Sequence, residues 1–271
     1  MANLHQHATQ STKDWFTNYV KGTVWIGCKL PTVRQCVNDV IPPIKTKKKA
    51  KSTSTAAKNI CPERLLDTAV RLLQQSECDV KLAGMLILSE CFPLHGDGLI
   101  LSSSVVLDRL ERNVLEPNLV NDWSSADWFA MKVLRRIVLE APPEIVEQVA
   151  ERVLGYTQHG TNLWYRRCGV IPFVQYYNHR DVLPDDIGLR LIQACETSLL
   201  ASPTERFTQT GVAWVLRYML SQRTATSQER DAAAAMVVKH GSLWTTEAKK
   251  SLTEKLAKSD ALYTKIRNLG R

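Results

Sequence analysis

The stretch Gly84-Met85-Leu86-Ile87-Leu88 places a small residue directly before an apolar run, and the same arrangement recurs three times later in the chain. The four copies begin 46, 39 and 44 residues apart, a spacing typical of repeats made from one pair of antiparallel helices. Small residues let helices pack closely, and stacked pairs share one continuous core. The later copies are Ala130-Met131-Lys132-Val133-Leu134, Gly169-Val170-Ile171-Pro172-Phe173 and Ala213-Trp214-Val215-Leu216-Arg217.

Helical signals surround these copies. Apolar residues fall at helical spacing through most of the chain from Cys61 onward, and no hairpin turn separates alternating segments. Ser202-Pro203-Thr204-Glu205 and Thr226-Ser227-Gln228-Glu229 both fit the capping box that begins a helix. The sequence therefore predicts an all-α fold, a HEAT-like α-solenoid in which antiparallel helix pairs form a curved superhelix.

A cationic segment interrupts this pattern. Residues 45–58 contain five lysines between positions 45 and 51 followed by serines and threonines, and they lack periodicity. We interpret them as a flexible linker or insertion, with a nuclear-import signal or a phosphate-binding arm as alternatives. The predicted organisation is N-terminal helices of the repeat domain in 1–44, the Lys-rich segment in 45–58, and the main repeat domain in 59–271.

The amino-acid composition narrows the classes of function that the chain can have. The 271 residues include 35 Lys+Arg against 27 Asp+Glu, a formal charge of +8 that favours anionic partners such as nucleic acid. The seven cysteines are odd in number and include no Cys-x-x-Cys, which argues against a disulfide framework and a zinc cluster. No signal peptide or apolar run of roughly 20 residues is found. We expect an intracellular protein without a membrane segment, nuclear if the organism is a eukaryote.

Trp123 and Asp127 are the first candidate functional pair. They lie four residues apart at a predicted helix start, so both side chains can face one side. An indole face and a carboxylate together suit a surface that stabilises positive charge. The alternative is structural, because Ser124 and Asp127 have the spacing of a capping pair whose acid the helix dipole favours.

Arg167 and Trp214 are the second candidate pair. Arg167 follows Trp164 by three residues, and arginine is the side chain best suited to bidentate phosphate contact. Its alternative role is that of a surface side chain covering Trp164 or pairing with Asp186 or Glu196. Trp214 lies in an apolar run, where an ordinary core tryptophan is the alternative.

Three motifs resemble those of the AlkD-type DNA alkylation-repair glycosylases, which are built from HEAT-like repeats. One motif alone carries little weight, but three in order at matching distances make a specific signal. The likeness extends over roughly residues 19–255. Its motifs are Asp122-Trp123-Ser124-Ser125-Ala126-Asp127, Leu163-Trp164-Tyr165-Arg166-Arg167 and Phe207-Thr208-Gln209-Thr210-Gly211-Val212-Ala213-Trp214-Val215-Leu216-Arg217.

The resemblance implies a role for each matched position. Asp127 would be the catalytic carboxylate, Trp123 and Trp214 would pack against the deoxyribose of the lesion, and Arg167 would bind the phosphate backbone. The implied activity is excision of cationic N3- and N7-alkylated purines from duplex DNA by hydrolysis of the N-glycosidic bond. It implies no base pocket, metal or organic cofactor.

Arg166 and Arg217 lie in these motifs, and Lys21 lies in the stretch Tyr19-Val20-Lys21, which resembles the opening helices of the family. We expect these three cations to bind DNA as well. The partner would be double-stranded DNA containing alkylated bases, bound by a monomer.

Two departures from the family pattern leave alternatives open. Ser124 stands where the family has an acidic residue, and Thr210 replaces a lysine. The main alternative is a non-catalytic HEAT-repeat protein that binds damaged or branched DNA. A protein-binding scaffold is the third possibility, in which the four candidates are core and capping residues.

Overall fold

The computed structural model describes residues 2–41, 61–92, 102–221 and 223–270. These residues form helices and turns, and β pairing among them is limited to one parallel bridge between Val24 and Glu77. The predicted all-α fold is thus confirmed. The chain divides into two compact units, Met1–Glu140 and Ala141–Arg271. The Lys-rich segment 45–58 lies outside the described residues, and the first unit includes residues on both sides of it.

The first unit is built from short helices whose starts follow the sequence signals. Proline occupies the first turn of α3 and α4, where a missing N–H costs nothing. The α-helices described in this unit are α1 (Ala2–His7), α2 (Gln10–Tyr19), α3 (Leu30–Asn38), α4 (Pro62–Leu73), α5 (Cys78–Leu86), α6 (Ser103–Leu110), α7 (Trp123–Trp128) and α8 (Arg135–Leu139).

Three of these helices continue directly into π-helical turns, at Ile87–Cys91, Glu111–Leu115 and Phe129–Leu134. A π turn inserts an extra residue and so rotates the face that follows it. The third turn joins α7 to α8, and residues 123–139 therefore form one continuous helix.

A buried carboxylate fixes the chain between α2 and α3. Asp79, at the start of α5, is fully buried and accepts hydrogen bonds from the backbone N–H groups of Ile26, Gly27 and Cys28 at 2.6, 3.2 and 3.2 Å. Gly27 has a φ of +114°, and a Cβ there would lie 2.4 Å from the carbonyl oxygen of Thr9. Glycine is required at this close approach.

The second unit contains four helices of 13–15 residues and three shorter ones, stacked in chain order. α9 packs on α10 and α11, α10 packs on α12, and α11 packs on α12 and α13. Each helix from α9 to α13 thus contacts the helix two further along the chain, which is the packing of stacked helix pairs. The curvature of a solenoid concerns the whole chain and stays a prediction. The helices are α9 (Val146–His159), α10 (Leu163–Val170), α11 (Ile187–Ala201), α12 (Arg206–Met219), α13 (Ser227–Lys239), α14 (Thr246–Leu252) and α15 (Ala261–Arg267), with 3₁₀ turns at Ile171–Phe173 and Tyr176–His179.

One of the two predicted capping boxes is confirmed. Thr226 caps α13, with its hydroxyl accepting from the backbone N–H of Glu229 and the Glu229 carboxylate accepting from that of Thr226. The box predicted at Ser202 is wrong, because Ser202 ends α11 and Glu205 caps α12. No helix in the part of the chain that the structure describes has the length and apolar character needed to cross a membrane.

Candidate functional site

Trp123 and Asp127 occupy the first turns of α7, with Trp123 as its first residue. Asp122 caps this helix: one carboxylate oxygen accepts from the backbone N–H groups of Ser124 and Ser125 at 2.9 and 3.0 Å, and the other accepts from the Ser125 hydroxyl. The capping role considered for Asp127 is therefore wrong. Its half-buried carboxylate lies one turn beyond the half-buried indole of Trp123.

An aromatic cluster supports Trp123 from behind. The indole packs against the buried cluster of Val20, Trp25 and Cys78, in which the Phe16 and Trp25 rings stack 4.1 Å apart. These contacts fix the orientation of the Trp123 ring while leaving part of it accessible.

Two exposed aromatic residues that the sequence analysis did not single out lie close to this cluster. Trp15 and Tyr19 are each 57% exposed and stack with ring centroids 4.9 Å apart, and the Tyr19 ring meets Trp123 edge-on at 5.4 Å. The i, i+4 spacing of Trp15 and Tyr19 on α2 could have indicated that the two rings stack. The position of these rings beside Trp123 depends on tertiary packing, which the sequence does not show. Lys21, a predicted DNA-binding residue, is exposed just after α2.

Arg167 lies on α10 in the second unit and is 6% exposed. Its guanidinium donates to the carbonyl oxygen of Phe207 on α12 and lies against Gly211, where an added Cβ would be 2.3 Å from Nη1. The surface role considered as its alternative is therefore wrong. Of the partners considered for that role, Glu196 binds Lys239 and His240, and Asp186 binds Arg190.

Trp214 lies on α12, three residues after Gly211. Its ring is half-buried, whereas the flanking residues of the apolar run are buried, so it is not an ordinary core tryptophan. The guanidinium of Arg217 lies 5.9 Å from the Trp214 ring centroid and 5.0 Å from that of Tyr218. A cation thus already rests near this indole face.

Arg166 and Arg217, the other predicted DNA-binding residues of this unit, have partners within it. Arg166 donates to the Gly160 carbonyl at 3.1 Å and to the Ser202 hydroxyl at 2.7 Å, while Arg217 pairs with Glu254. The Nε atoms of both arginines are buried without a hydrogen-bond partner. Their role in DNA binding stays a prediction.

The structure therefore brings the candidates together within each unit. In the first, Trp123 and Asp127 share one helix beside Tyr19; in the second, Arg167, Trp214 and Arg217 lie on the packed helices α10 and α12. No group of three or more His, Cys, Asp or Glu side chains in residues 2–41, 61–92, 102–221 and 223–270 is placed to hold a metal ion.

A family model described as DNA alkylation repair enzyme matches residues 1–230. The chain belongs to this family. The matched range includes all three motifs that carry the candidate residues. Membership in the DNA alkylation repair enzyme family assigns the chain to DNA repair, with DNA as its partner. No match was found among curated proteins or among solved structures.

Proposed function

We propose that this protein is a DNA glycosylase that hydrolyses the N-glycosidic bond of cationic N3- and N7-alkylated purines in duplex DNA. The observation that carries the proposal is the pairing of Trp123 and Asp127 on one helix whose capping is performed by Asp122. The half-buried Asp127 carboxylate lies one turn along this helix from an indole that packs on a buried cluster. Family membership supports the DNA substrate.

Departure of the base needs little catalysis by the enzyme. An alkylated purine already carries a positive charge, so the C1′–N bond can break with its electron pair leaving on a neutral base. The barrier lies in the oxocarbenium character that develops on the deoxyribose. A carboxylate close to C1′ stabilises that charge, and Asp127 has this role in the proposal. The carboxylate also accepts the proton of the water that attacks C1′, leaving an abasic site.

Each of the two tryptophans is assigned a contact with the deoxyribose. An indole face attracts a cation through its quadrupole, by about 0.5–2 kcal/mol depending on desolvation. Trp123 is suited to this because packing against the Val20, Trp25 and Cys78 cluster orients its ring before DNA arrives. Trp214 is assigned the equivalent contact, supported by its half-buried ring and by the arginine already resting near it.

Phosphate contacts would hold the substrate in register. Arg167 is assigned the backbone near the lesion, and the Phe207 carbonyl together with Gly211 limits the positions that its guanidinium can take. A guanidinium held in one place loses less entropy on binding a phosphate than a free one. Lys21, Arg166 and Arg217 are assigned further backbone contacts.

The test is release of 7-methylguanine and 3-methyladenine from methylated duplex DNA by the wild type and by Asp127→Asn. The expected result is release by the wild type, loss of release in the variant, and similar DNA affinity in both. Unchanged release by Asp127→Asn would overturn the role of the carboxylate. DNA binding without release by either protein would favour the alternative, a non-catalytic protein that binds damaged or branched DNA.

A further inference from the structure

Two exposed aromatic rings form a patch on α2. Trp15 and Tyr19 are each 57% exposed, and their rings stack 4.9 Å apart at an interplanar angle of 18°. Among the described residues, the other exposed large apolar side chains are four valines and a leucine. Single exposed apolar residues are ordinary, whereas a contiguous apolar patch marks a surface that binds something. The family resemblance assigns no role to Trp15.

The indole of Trp15 is supported by two neighbouring rings. Phe16 meets it edge-on at 5.0 Å, and Phe16 itself stacks on the buried Trp25 at 4.1 Å. Tyr19 covers one face of the indole, so the surface that remains for a ligand is the opposite face. A ring supported in this way loses less conformational freedom on binding than an isolated side chain does.

The aromatic patch adjoins the indole that we assign to the deoxyribose. The ring centroids of Tyr19 and Trp123 lie 5.4 Å apart, and those of Trp15 and Tyr19 lie 4.9 Å apart, so Trp15 and Trp123 are at most about 10 Å apart. Successive nucleotides of one strand rise about 3.4 Å in the duplex. The base of the lesion nucleotide and its neighbours therefore fall within reach of Trp15.

The chemistry of an indole face selects among these bases. In a duplex, the faces of each base are covered by its neighbours, so an indole stacks only on a base that has left the helix. Leaving the helix costs least for a damaged base. An N3- or N7-alkylated purine is also a cation, and an indole face attracts cations through its quadrupole. Among the bases near the lesion, the alkylated one therefore gains most from Trp15.

We propose that the cationic alkylpurine stacks on the open face of Trp15 when it leaves the duplex. The choice of base rests on the proposed function. Trp15 would stabilise the unstacked state of an alkylated base more than that of a normal base, and so add selectivity before the glycosidic bond breaks. Because the aromatic patch is an exposed surface, it would accept alkyl groups of different sizes.

The test compares the affinities of three duplexes that differ at one nucleotide, which carries 7-methylguanine, guanine or a stable abasic-site analogue. Fluorine at C2′ of the first two nucleotides disfavours the oxocarbenium character, so the base stays attached during the measurement. The wild type should prefer 7-methylguanine to guanine. Trp15→Leu should reduce this preference by about 2- to 30-fold, the range for losing a cation–π contact. Its affinity for the abasic duplex should equal that of the wild type, which also shows that the variant is folded.

Two control variants accompany Trp15→Leu. Trp15→Phe keeps an aromatic face with a weaker quadrupole and should retain part of the preference. Val105→Ala changes another exposed apolar residue of the same unit, 43% exposed on α6, and should keep all of it. The proposal is overturned if Trp15→Leu keeps the full preference, or if Val105→Ala reduces it equally. An equal loss of affinity for all three duplexes in Trp15→Leu would also overturn it, in favour of a contact with the backbone.

The glycosylase proposal is tested separately by base release from methylated duplex without fluorine. Base release by the wild type, with an unchanged preference in Trp15→Leu, would overturn the role of Trp15 alone. A preference that depends on Trp15, without base release by the wild type, would overturn the glycosylase proposal and keep the aromatic patch as a surface that recognises the alkylated base.

Discussion

Arg167 has a structural role within its unit and a proposed role in DNA binding. Its guanidinium donates to the Phe207 carbonyl and lies against Gly211, so it connects α10 to α12. We propose that the same side chain also contacts a phosphate. Arg167 is 6% exposed, so its truncation removes this donor from the Phe207 carbonyl and leaves space beside Gly211. A loss of DNA affinity in a variant at this position therefore needs a parallel measurement of stability.

We predict that Arg167→Ala lowers the free energy of unfolding by about 1–3 kcal/mol, because it removes a hydrogen bond from a charged donor that connects α10 to α12. Urea denaturation followed by tryptophan fluorescence measures this change. Arg223→Ala is the control, because Arg223 is an exposed arginine of the same unit, and its effect should stay within about 0.5 kcal/mol. Equal stability of both variants would contradict the buried position of Arg167.

Sequence reasoning at this scale succeeded where the spacing alone decides the outcome. Trp123 and Asp127 share a helix because four residues make one turn. It failed at the cap of the same helix, since Asp122 and Ser124 are both good capping residues and the backbone angles decide between them. The stacked pair Trp15 and Tyr19 was missed because its contact with Trp123 joins residues distant in sequence.

Among the helices, α11 and α13 are connected by one carboxylate. Glu196 on α11 accepts hydrogen bonds from Lys239 at 2.8 Å and from His240 at 2.6 Å, at the end of α13. The hydrogen bond with His240, followed by that from Lys239, holds the pKa of Glu196 below its ordinary value. A carboxylate with a lowered pKa stabilises the fold above its unfolded-state pKa, and this contribution is lost as the pH falls through the folded value.

We predict that Glu196→Gln destabilises the protein at pH 7 by at most about 1 kcal/mol, since the pair is partly exposed. The difference from the wild type should shrink as the pH falls from the ordinary carboxyl pKa of 4.5 through the lower pKa of the folded Glu196, since the wild-type carboxylate then also becomes neutral. Thermal unfolding at a series of pH values measures it. Glu144→Gln, at an exposed site in the same unit, should show no such trend. A difference that grows toward acid pH would contradict the interaction.

The helices themselves were largely predictable. α2 and α3, the long helix of residues 123–139 and the box at Thr226 follow from proline, capping residues and apolar periodicity. The π turns were not predictable, because the inserted residue is selected by packing on neighbouring helices. Ser202 was assigned to the wrong helix, since its motif also fits the four-residue connection 202–205 between α11 and α12.

At the scale of the whole molecule, the formal net charge of +8 favours electrostatic association with DNA. Each phosphate contact releases counterions, so log K falls with log salt by about 0.9 per contact. We assign backbone contacts to Lys21, Arg166, Arg167 and Arg217, and therefore predict a slope of about −3.6 or steeper for duplex DNA. Fluorescence anisotropy with a labelled duplex between low and moderate salt measures it. A slope near zero would contradict binding through the backbone.

The central claim is that Asp127 performs the chemistry, and Asp122 offers the matched control. The two aspartates begin the same helix five residues apart, and Asn in place of Asp122 preserves a good cap. The most direct measurement is single-turnover release of 7-methylguanine from methylated duplex by the wild type, Asp127→Asn and Asp122→Asn. We predict that Asp127→Asn slows release by about 10²–10³-fold or more, the scale of losing one electrostatic transition-state contact, while Asp122→Asn stays close to the wild type. Equal rates for the two variants would contradict the assignment of Asp127 as the catalytic carboxylate.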